Sequence, residues 1–195
     1  MSEPLAARAQ AILHDWVQSD SLRKHCYAVA DSMKQFAQLR GEDADLWEAV
    51  GLLHDMDYER YPNLERSATE GHPFVGVAWL REHGWSDGVY RAILSHADYS
   101  GVSRETPLEK TLYAVDELSS FVVAVALVRP TKSIHDVDVR AVKKKMKDKA
   151  FARAVSREDI TRGSEELGMP LDDVIGQVIA ALKGDAERLG LVGVA

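Results

Sequence analysis

Cysteine is almost missing from this sequence, and long apolar runs are missing altogether. Cys26 is the only cysteine among 195 residues, so the chain can form neither an internal disulfide nor a zinc cluster built on cysteines. The longest apolar run, residues 121–128, is far shorter than the roughly 20 residues that cross a bilayer. The residues after Met1 lack the apolar core of a signal peptide. These absences predict a cytoplasmic protein without disulfides and without contact to a membrane.

Basic residues are also in short supply. The 24 lysines and arginines are outnumbered by 31 acidic residues, which leaves a net charge of −7. A negative surface repels phosphate backbones, so we predict no nucleic-acid partner. A small phosphorylated substrate remains compatible with this charge, because a bound metal ion can invert the local field.

Signals for β-strands are scarce, and most apolar residues recur at helical spacing. The length suits one domain, 1–195, with a core at 20–130 and a C-terminal helical extension at 131–195. Ser19 or Asp20 can begin the second helix and Gly41 can end it. We therefore predict an all-α fold with helices at about 4–18, 21–40, 43–54, 71–84, 86–96, 107–129 and 138–149, and further helices after Ser156 and after Pro170.

One of three histidine–aspartate doublets faces the predicted core. His54–Asp55 closes the third helix, with His54 one turn beyond Val50 on the apolar side, whereas the doublets at 14–15 and 135–136 face solvent. A buried imidazole beside a carboxylate must be paired, and a metal ion is one way to pair it. A single core histidine is more often paired by the protein itself.

The same pattern recurs on other helices. Asp116 lies in the middle of a long apolar helix, where an unpaired carboxylate costs several kcal/mol or becomes protonated. His25, His72 and His96 also share faces with apolar residues. Imidazoles and carboxylates together suit iron, manganese, cobalt, nickel or zinc, as one or two divalent ions.

The order of these residues resembles the signature of the HD superfamily of metal-dependent phosphohydrolases. The stretch at 51–58, Gly-Leu-Leu-His-Asp-Met-Asp-Tyr, is similar to the central motif of its stand-alone bacterial members. The resemblance covers about residues 20–130 and implies a helical bundle with the metal site between the central helices. The residues that follow the family's ligand order, including the extra histidines of its dinuclear subset, are His25, His54, Asp55, His72, His96 and Asp116.

The resemblance also implies a mechanism. A first metal would be held by His25, His54, Asp55 and Asp116, with Asp55 bridging to a second metal completed by His72 and His96. A metal-bound hydroxide would attack the phosphorus of a small phosphoester, such as a nucleotide. Asp57 stands where several relatives carry a lysine or glutamate, and we predict that it acts as the acid.

Two other functions fit the same residues. Some relatives with six such ligands use a di-iron pair to activate oxygen, so a di-iron oxygenase is the first alternative. A metal-stabilised helical module without catalysis is the second.

Several residues outside the signature have competing interpretations. The basic run at 143–147 is predicted to be a solvated helix face in preference to a phosphate site. Arg23 and Lys24 flank His25 and could reach a substrate phosphate. Tyr58 and Tyr61 are candidates for lining a pocket. The remaining predictions are structural or surface positions for His83, His14 and His135, and core positions for Trp47, Trp79 and Trp85.

Overall fold

The computed structural model describes residues 3–194, and within that range it contains α-helices and two 3₁₀ turns but no β-strand. This confirms the predicted all-α fold. None of the helices in these residues has the length and apolar content that crossing a membrane requires. The ten helices are α1 (Leu5–Trp16), α2 (Asp20–Arg40), α3 (Ala44–Leu53), α4 (Phe74–Glu82), α5 (Asp87–His96), α6 (Pro107–Leu127), α7 (Val139–Met146), α8 (Arg157–Leu167), α9 (Leu171–Gly184) and α10 (Ala186–Leu189).

Local sequence signals set most helix ends. The Ser19 side chain accepts a hydrogen bond from the backbone of Leu22 at the start of α2, and Gly41 ends that helix with φ of 71°. At the start of α6, Thr106 and Glu109 form a reciprocal capping box around Pro107. These polar and glycine signals explain why the helix bounds are readable from the sequence.

The start of α8 is capped by Ser156, whose side chain accepts from the backbone of Asp159. The Asp159 carboxylate does not return the bond. It accepts instead from the hydroxyl of Tyr113 at 2.9 Å. The backbone N–H of Ser156 donates to Glu117 at 3.0 Å. The α8 cap therefore joins this helix to α6.

Proline accounts for two further differences. His72 was predicted at the start of the fourth helix, but α4 begins at Phe74 and His72 lies in the preceding loop. Pro73 disfavours helical backbone in the residue before it. In the same way α6 ends at Leu127, two residues before the predicted end at Arg129, which precedes Pro130.

The helices α2, α3 and α6 form the centre of the molecule. α1 packs on α3, α5 and α8 pack on α6, and α9 packs on α2 and α6. Gly51 of α3 makes the closest approach, since a Cβ there would lie 2.5 Å from the Cα of Ala30 in α2. One cluster of buried apolar side chains runs through all these helices, from Ala9 to Leu191.

Candidate metal centre

Five segments bring the predicted ligands to one place. His25 projects from the first turns of α2 and Asp116 from the middle of α6. His54 and Asp55 directly follow the last residue of α3. The loop before α4 contributes His72, and His96 is the last residue of α5.

The first group of donor atoms joins α2, α3 and α6. The Nε2 atoms of His25 and His54 lie 3.1 Å apart. Asp116 Oδ1 lies 3.2 Å from the Nε2 of His25 and 3.5 Å from that of His54. His54 is fully buried, and the other two side chains are about four-fifths buried. Three ligand atoms therefore surround one point between the central helices.

A second group lies beside the first. The Nε2 atoms of His72 and His96 are 3.3 Å apart, and Asp55 Oδ1 lies 3.3 Å and 3.5 Å from them, respectively. The other oxygen of Asp55, Oδ2, faces the first group at 3.4 Å from His25 Nε2. Asp55 thus presents one oxygen to each group, the arrangement expected of a carboxylate between two ions.

All four histidines are held in the same orientation. Each uses Nδ1 for a partner on the protein and turns Nε2 towards the centre. Such partners fix the tautomer and ring angle of metal-binding histidines. The Nδ1 partners are Ser120 Oγ for His25 at 2.9 Å, Gly51 O for His54 at 2.7 Å, Asp57 Oδ1 for His72 at 2.7 Å and Ile93 O for His96 at 2.5 Å.

The donor atoms fit a metal ion. A carbonyl oxygen only accepts hydrogen bonds, so the Nδ1 atoms of His54 and His96 carry the proton and each Nε2 presents a lone pair. In the neutral imidazoles these lone pairs lie against carboxylate oxygens, that of His54 at 3.5 Å from Asp116 Oδ1 and that of His96 at 3.5 Å from Asp55 Oδ1. Without a cation this arrangement is repulsive, and the mixture of imidazole and carboxylate suits a divalent transition metal.

The electrostatics of the cluster also favour positive charge at its centre. Burial alone would lower the pKa of His25, but hydrogen bonds and charge from Asp116 and Asp55 outweigh it and raise that pKa to about 10. Burial would raise the pKa of Asp116, yet the charge of His54 and a hydrogen bond from His25 hold it well below its usual range.

Asp57 lies behind His72, away from the centre of the cluster. Its side chain is 1% exposed, and its oxygens accept from His72 Nδ1 at 2.7 Å and from the backbone N–H of Gly76 at 2.6 Å. A Cβ at position 76 would lie 3.0 Å from the Cγ of Asp57, so a larger residue there would have to displace the carboxylate. With both oxygens occupied, the placement does not support the acid role predicted for Asp57.

A cavity of about 410 Å³ leads to the cluster on the side of His72, His96 and Asp116. A second opening of about 860 Å³ reaches His25. Tyr58 and Leu64 line both, so they stand between the two openings. The side chains that line the first cavity beside the ligands include Tyr58, Leu64, Arg66, Tyr99, Tyr113 and Glu117.

Of these six cavity residues only Tyr58 was identified from the sequence, and the two charged residues that were missed are Arg66 and Glu117. Arg66 lies in a loop, where no periodicity marks which way a side chain points. Glu117 follows Asp116 directly, and its proximity to a buried carboxylate was the only available signal. Burial and the charge of Asp116 raise the pKa of Glu117 to about 7.

The two basic residues next to His25 both bond to other parts of the protein. Arg23 donates to the backbone oxygens of Val17 and His14 at 2.7 Å and 3.0 Å, and so closes the end of α1. Lys24 forms an ion pair with Asp20 at 2.9 Å. Arg23 therefore supports the end of α1, whereas the ion pair of Lys24 is exposed.

The other sequence assignments mostly hold. Val142 is buried beneath an exposed basic face on α7, as predicted. Tyr58 lines the cavities, whereas Tyr61 packs near Trp16 with ring centroids 6.3 Å apart. The other positions agree with prediction: His14, His83 and His135 are exposed, Trp47 and Trp85 are buried, and the half-buried Trp79 stacks on His83.

Comparison with known families agrees with this geometry. A family model described as the HD domain matches residues 22–120, about half of the chain. All six converging side chains fall inside the matched range. No curated protein and no solved structure gives a significant match to the chain.

Proposed function

The chain belongs to the HD domain family, whose members are mostly metal-dependent phosphohydrolases, and we propose that it hydrolyses a small phosphoester with one or two divalent transition-metal ions. The observation that carries the proposal is the double cluster around Asp55. Its six side chains come from five segments of the chain, and every histidine turns Nε2 inward. A single histidine at a helix end needs no such explanation; four with matched orientation do.

Divalent ions bound there would act as Lewis acids and lower the pKa of a bound water. We assign the first ion to His25, His54 and Asp116, and the second to His72 and His96, with Asp55 between them. Asp57 is a positioning residue in this proposal, because it orients His72. Tyr99 acts on the same loop, since its hydroxyl donates to the backbone oxygen of His72 at 3.0 Å.

The walls of the cavity suit a small organic phosphate better than a polymer. The cavity has about the volume of a drug-sized ligand and is partly enclosed by tyrosines and Leu64. The net charge of −7 argues against a long polyanion. The phosphate would lie at the end of the cavity formed by His72, His96 and Asp116. The remainder of the substrate would lie against Tyr58, Tyr99 and Tyr113.

The proposal is tested by metal analysis joined to a hydrolysis screen. The purified protein should contain a transition metal, and it should hydrolyse an aryl phosphate or a nucleotide only while that metal is present. Asp116→Asn should lose both metal and turnover, because it removes the carboxylate that touches His25 and His54. His83→Gln is the matched control, since His83 is exposed and lies outside the cluster.

Two results would contradict the proposal. Full metal loading with no hydrolysis across a broad panel of phosphoesters would favour a non-catalytic module. Coupled irons detected by electron paramagnetic resonance, with oxygen consumption in place of hydrolysis, would favour the oxygenase alternative.

A further inference from the structure

We propose that Arg66 binds the substrate phosphate, and that the substrate is therefore a phosphomonoester. This inference rests on the proposed function, because it concerns the same cavity. It begins from an imbalance of charge on the cavity wall. Arg66, an exposed side chain, is the only lysine or arginine among the residues that line the cavity, and the carboxylates of Asp98, Asp116, Glu117 and Asp159 share that lining.

The carboxylates on this wall already have partners. Asp98 pairs with Arg104 at 2.8 Å and also with Arg162. Asp159 accepts from Tyr113, as described above, and pairs with Arg162 at 3.1 Å. No hydrogen bond or ion pair within residues 3–194 uses the Arg66 guanidinium. A guanidinium that faces a cavity without a protein partner is available to an anionic ligand.

The turn that carries Arg66 is ordered and is tied to a metal ligand. Asn63 accepts from the backbone of Ser67 at 2.8 Å and donates to the Ser67 carbonyl at 2.8 Å. The same amide nitrogen donates to the backbone oxygen of His72 at 3.0 Å. Arg66 lies inside this turn, with φ of 52° and its N–H bonded to the Asn63 carbonyl. One side chain, Asn63, therefore fixes the position of Arg66 relative to His72.

Arg66 shares the cavity wall with two side chains of the second cluster, His72 and His96. Tyr99 lines the same cavity, and its hydroxyl donates to the backbone oxygen of His72 at 3.0 Å. Arg66 is thus placed to act on a group bound beside the second cluster.

The chemistry of phosphate esters then indicates the substrate class. A phosphodiester has two non-bridging oxygens and one negative charge, which two metal ions can satisfy. A phosphomonoester has a third such oxygen and a second charge, and this oxygen needs a donor from the protein. Arg66 is the only cationic donor among the residues that line this cavity, and a guanidinium forms strong paired bonds with phosphate oxygens.

The test compares Arg66→Gln with wild type in the metal-loaded protein. For p-nitrophenyl phosphate, a monoester, we expect KM to rise about 10- to 100-fold, the loss typical of a charge-assisted hydrogen bond. The inhibition constant of inorganic phosphate should rise by a similar factor. Hydrolysis of bis(p-nitrophenyl) phosphate, a diester, should change less than about threefold, and the metal content should stay the same.

Arg66→Lys and Arg60→Gln serve as controls. The lysine keeps the charge and should recover part of the monoester affinity. Arg60 belongs to the same loop but packs over the Trp16 ring at 5.1 Å, so its loss should leave both substrates unaffected.

The result that overturns the inference is an Arg66→Gln protein whose monoester KM and phosphate inhibition equal those of wild type. An equal loss for monoester and diester would overturn the assignment of substrate class. If wild type hydrolyses neither ester, the proposed function fails, and calorimetric titration with inorganic phosphate still decides the role of Arg66. Weaker phosphate binding by Arg66→Gln supports it, and equal or absent binding in both proteins overturns it.

Discussion

Each histidine of the cluster depends on the residue behind it. Three of the four Nδ1 partners are backbone carbonyls or a serine hydroxyl, which are neutral, and only His72 has a carboxylate partner, Asp57. A carboxylate strengthens the ligand by making the imidazole more basic and by fixing the ring. The second metal position should therefore be sensitive to Asp57 in particular.

Asp57→Asn should weaken the second metal position. The amide offers only one oxygen, so either His72 Nδ1 or the Gly76 N–H must face the NH₂ group. We expect metal affinity at this position to fall about 10- to 100-fold, the range for loss of such a partner. Metal content measured after dialysis against a competing chelator should fall from two ions towards one.

The control for this substitution is Asp20→Asn, which removes an exposed carboxylate paired with Lys24. It should retain the wild-type metal content. An Asp57→Asn protein that keeps both ions through the same dialysis would show that Asp57 does not hold His72 in place.

Asp31 lies outside the metal centre and should make stability depend on pH. Burial raises its pKa to about 7, although Arg188 acts to lower it. The folded state therefore keeps a proton that the unfolded chain releases near pH 4, and stability should fall as pH rises from about 4 to about 7. Asp31→Asn should remove this decline and gain on the order of 4 kcal/mol over wild type at pH 8 relative to pH 4.

Urea unfolding at several pH values measures this difference directly. Asp15→Asn, at an exposed position of α1, should follow the wild-type curve at every pH. A constant offset between wild type and Asp31→Asn would mean that the folded and unfolded pKa values of Asp31 are the same.

How far single residues could be predicted depended on where they lie. Asp116 and His54 stand out because a helix has a period, and a charged or polar group on its apolar face breaks it. Residues in loops follow no such period, so the sequence does not show which of them point inward. His72 and Arg66 lie in loops. His72 was noticed on the face of a predicted helix that in fact begins only at Phe74, so its assignment as a ligand depended on the family resemblance, and Arg66 was not found.

At the scale of elements, the centre depends on how closely α2 and α3 approach. These helices carry His25 and His54, whose Nε2 atoms are 3.1 Å apart. The approach requires glycine at position 51, where a Cβ would overlap the backbone of Ala30. The metal cluster therefore depends on a residue that is not itself a ligand.

Gly51→Ala should separate α2 from α3 and disturb the first cluster. The backbone of Ala30 cannot move as a side chain can, so we expect a loss of about 3 kcal/mol in unfolding free energy, the upper range for overpacking. Chemical denaturation gives the stability, and metal titration should show weaker binding.

Gly176→Ala is the matched control in α9. A Cβ there would have its nearest neighbour, Val139, at 3.9 Å. Alanine favours helices over glycine by roughly 0.5–1 kcal/mol, so this variant should be slightly more stable than wild type. Equal stability of the two variants would show that the α2–α3 contact tolerates a methyl group.

The ends of elements were predictable where a side chain or glycine caps them. Ser19, Gly41 and Thr106 made the bounds of α2 and α6 visible. The short α10 was not recognised as a separate helix, because Asp185 at its start makes no side-chain cap hydrogen bond. Contacts between distant segments, such as that of Ser156 with Glu117, have no local signal at all.

At the scale of the whole molecule, the C-terminal helices complete the walls of the site. Asp159 of α8 lines the first cavity and Ala154 lines the second opening. α8 packs closely on α6 because Gly163 has no side chain. A Cβ at this position would lie 2.6 Å from the Cα of Ala114. These residues lie beyond the matched family range of 22–120, so the C-terminal extension contributes to the cavity together with the matched part of the chain.

Metal removal should lower the stability of the entire fold, because the ligands come from helices throughout the core. An ion bound at a free concentration of about 100 times its Kd stabilises the folded state by about 2.7 kcal/mol. For a chain of this length each kcal/mol shifts Tm by roughly 2–4 °C. Excess chelator should therefore lower Tm by about 5–10 °C, and added metal should restore it.

The change in Tm between chelator and added metal should depend on the side chains of the cluster and not on ionic strength. Asp116→Asn, which lacks a carboxylate facing His25 and His54, should show a much smaller shift between chelator and metal than wild type does. His83→Gln should show the full shift, because its imidazole is exposed and stacks on Trp79. Identical melting of wild type with chelator and with metal would mean that the converging lone pairs are stabilised by protons or protein groups alone. The cluster would then be a buried polar network and not a metal centre.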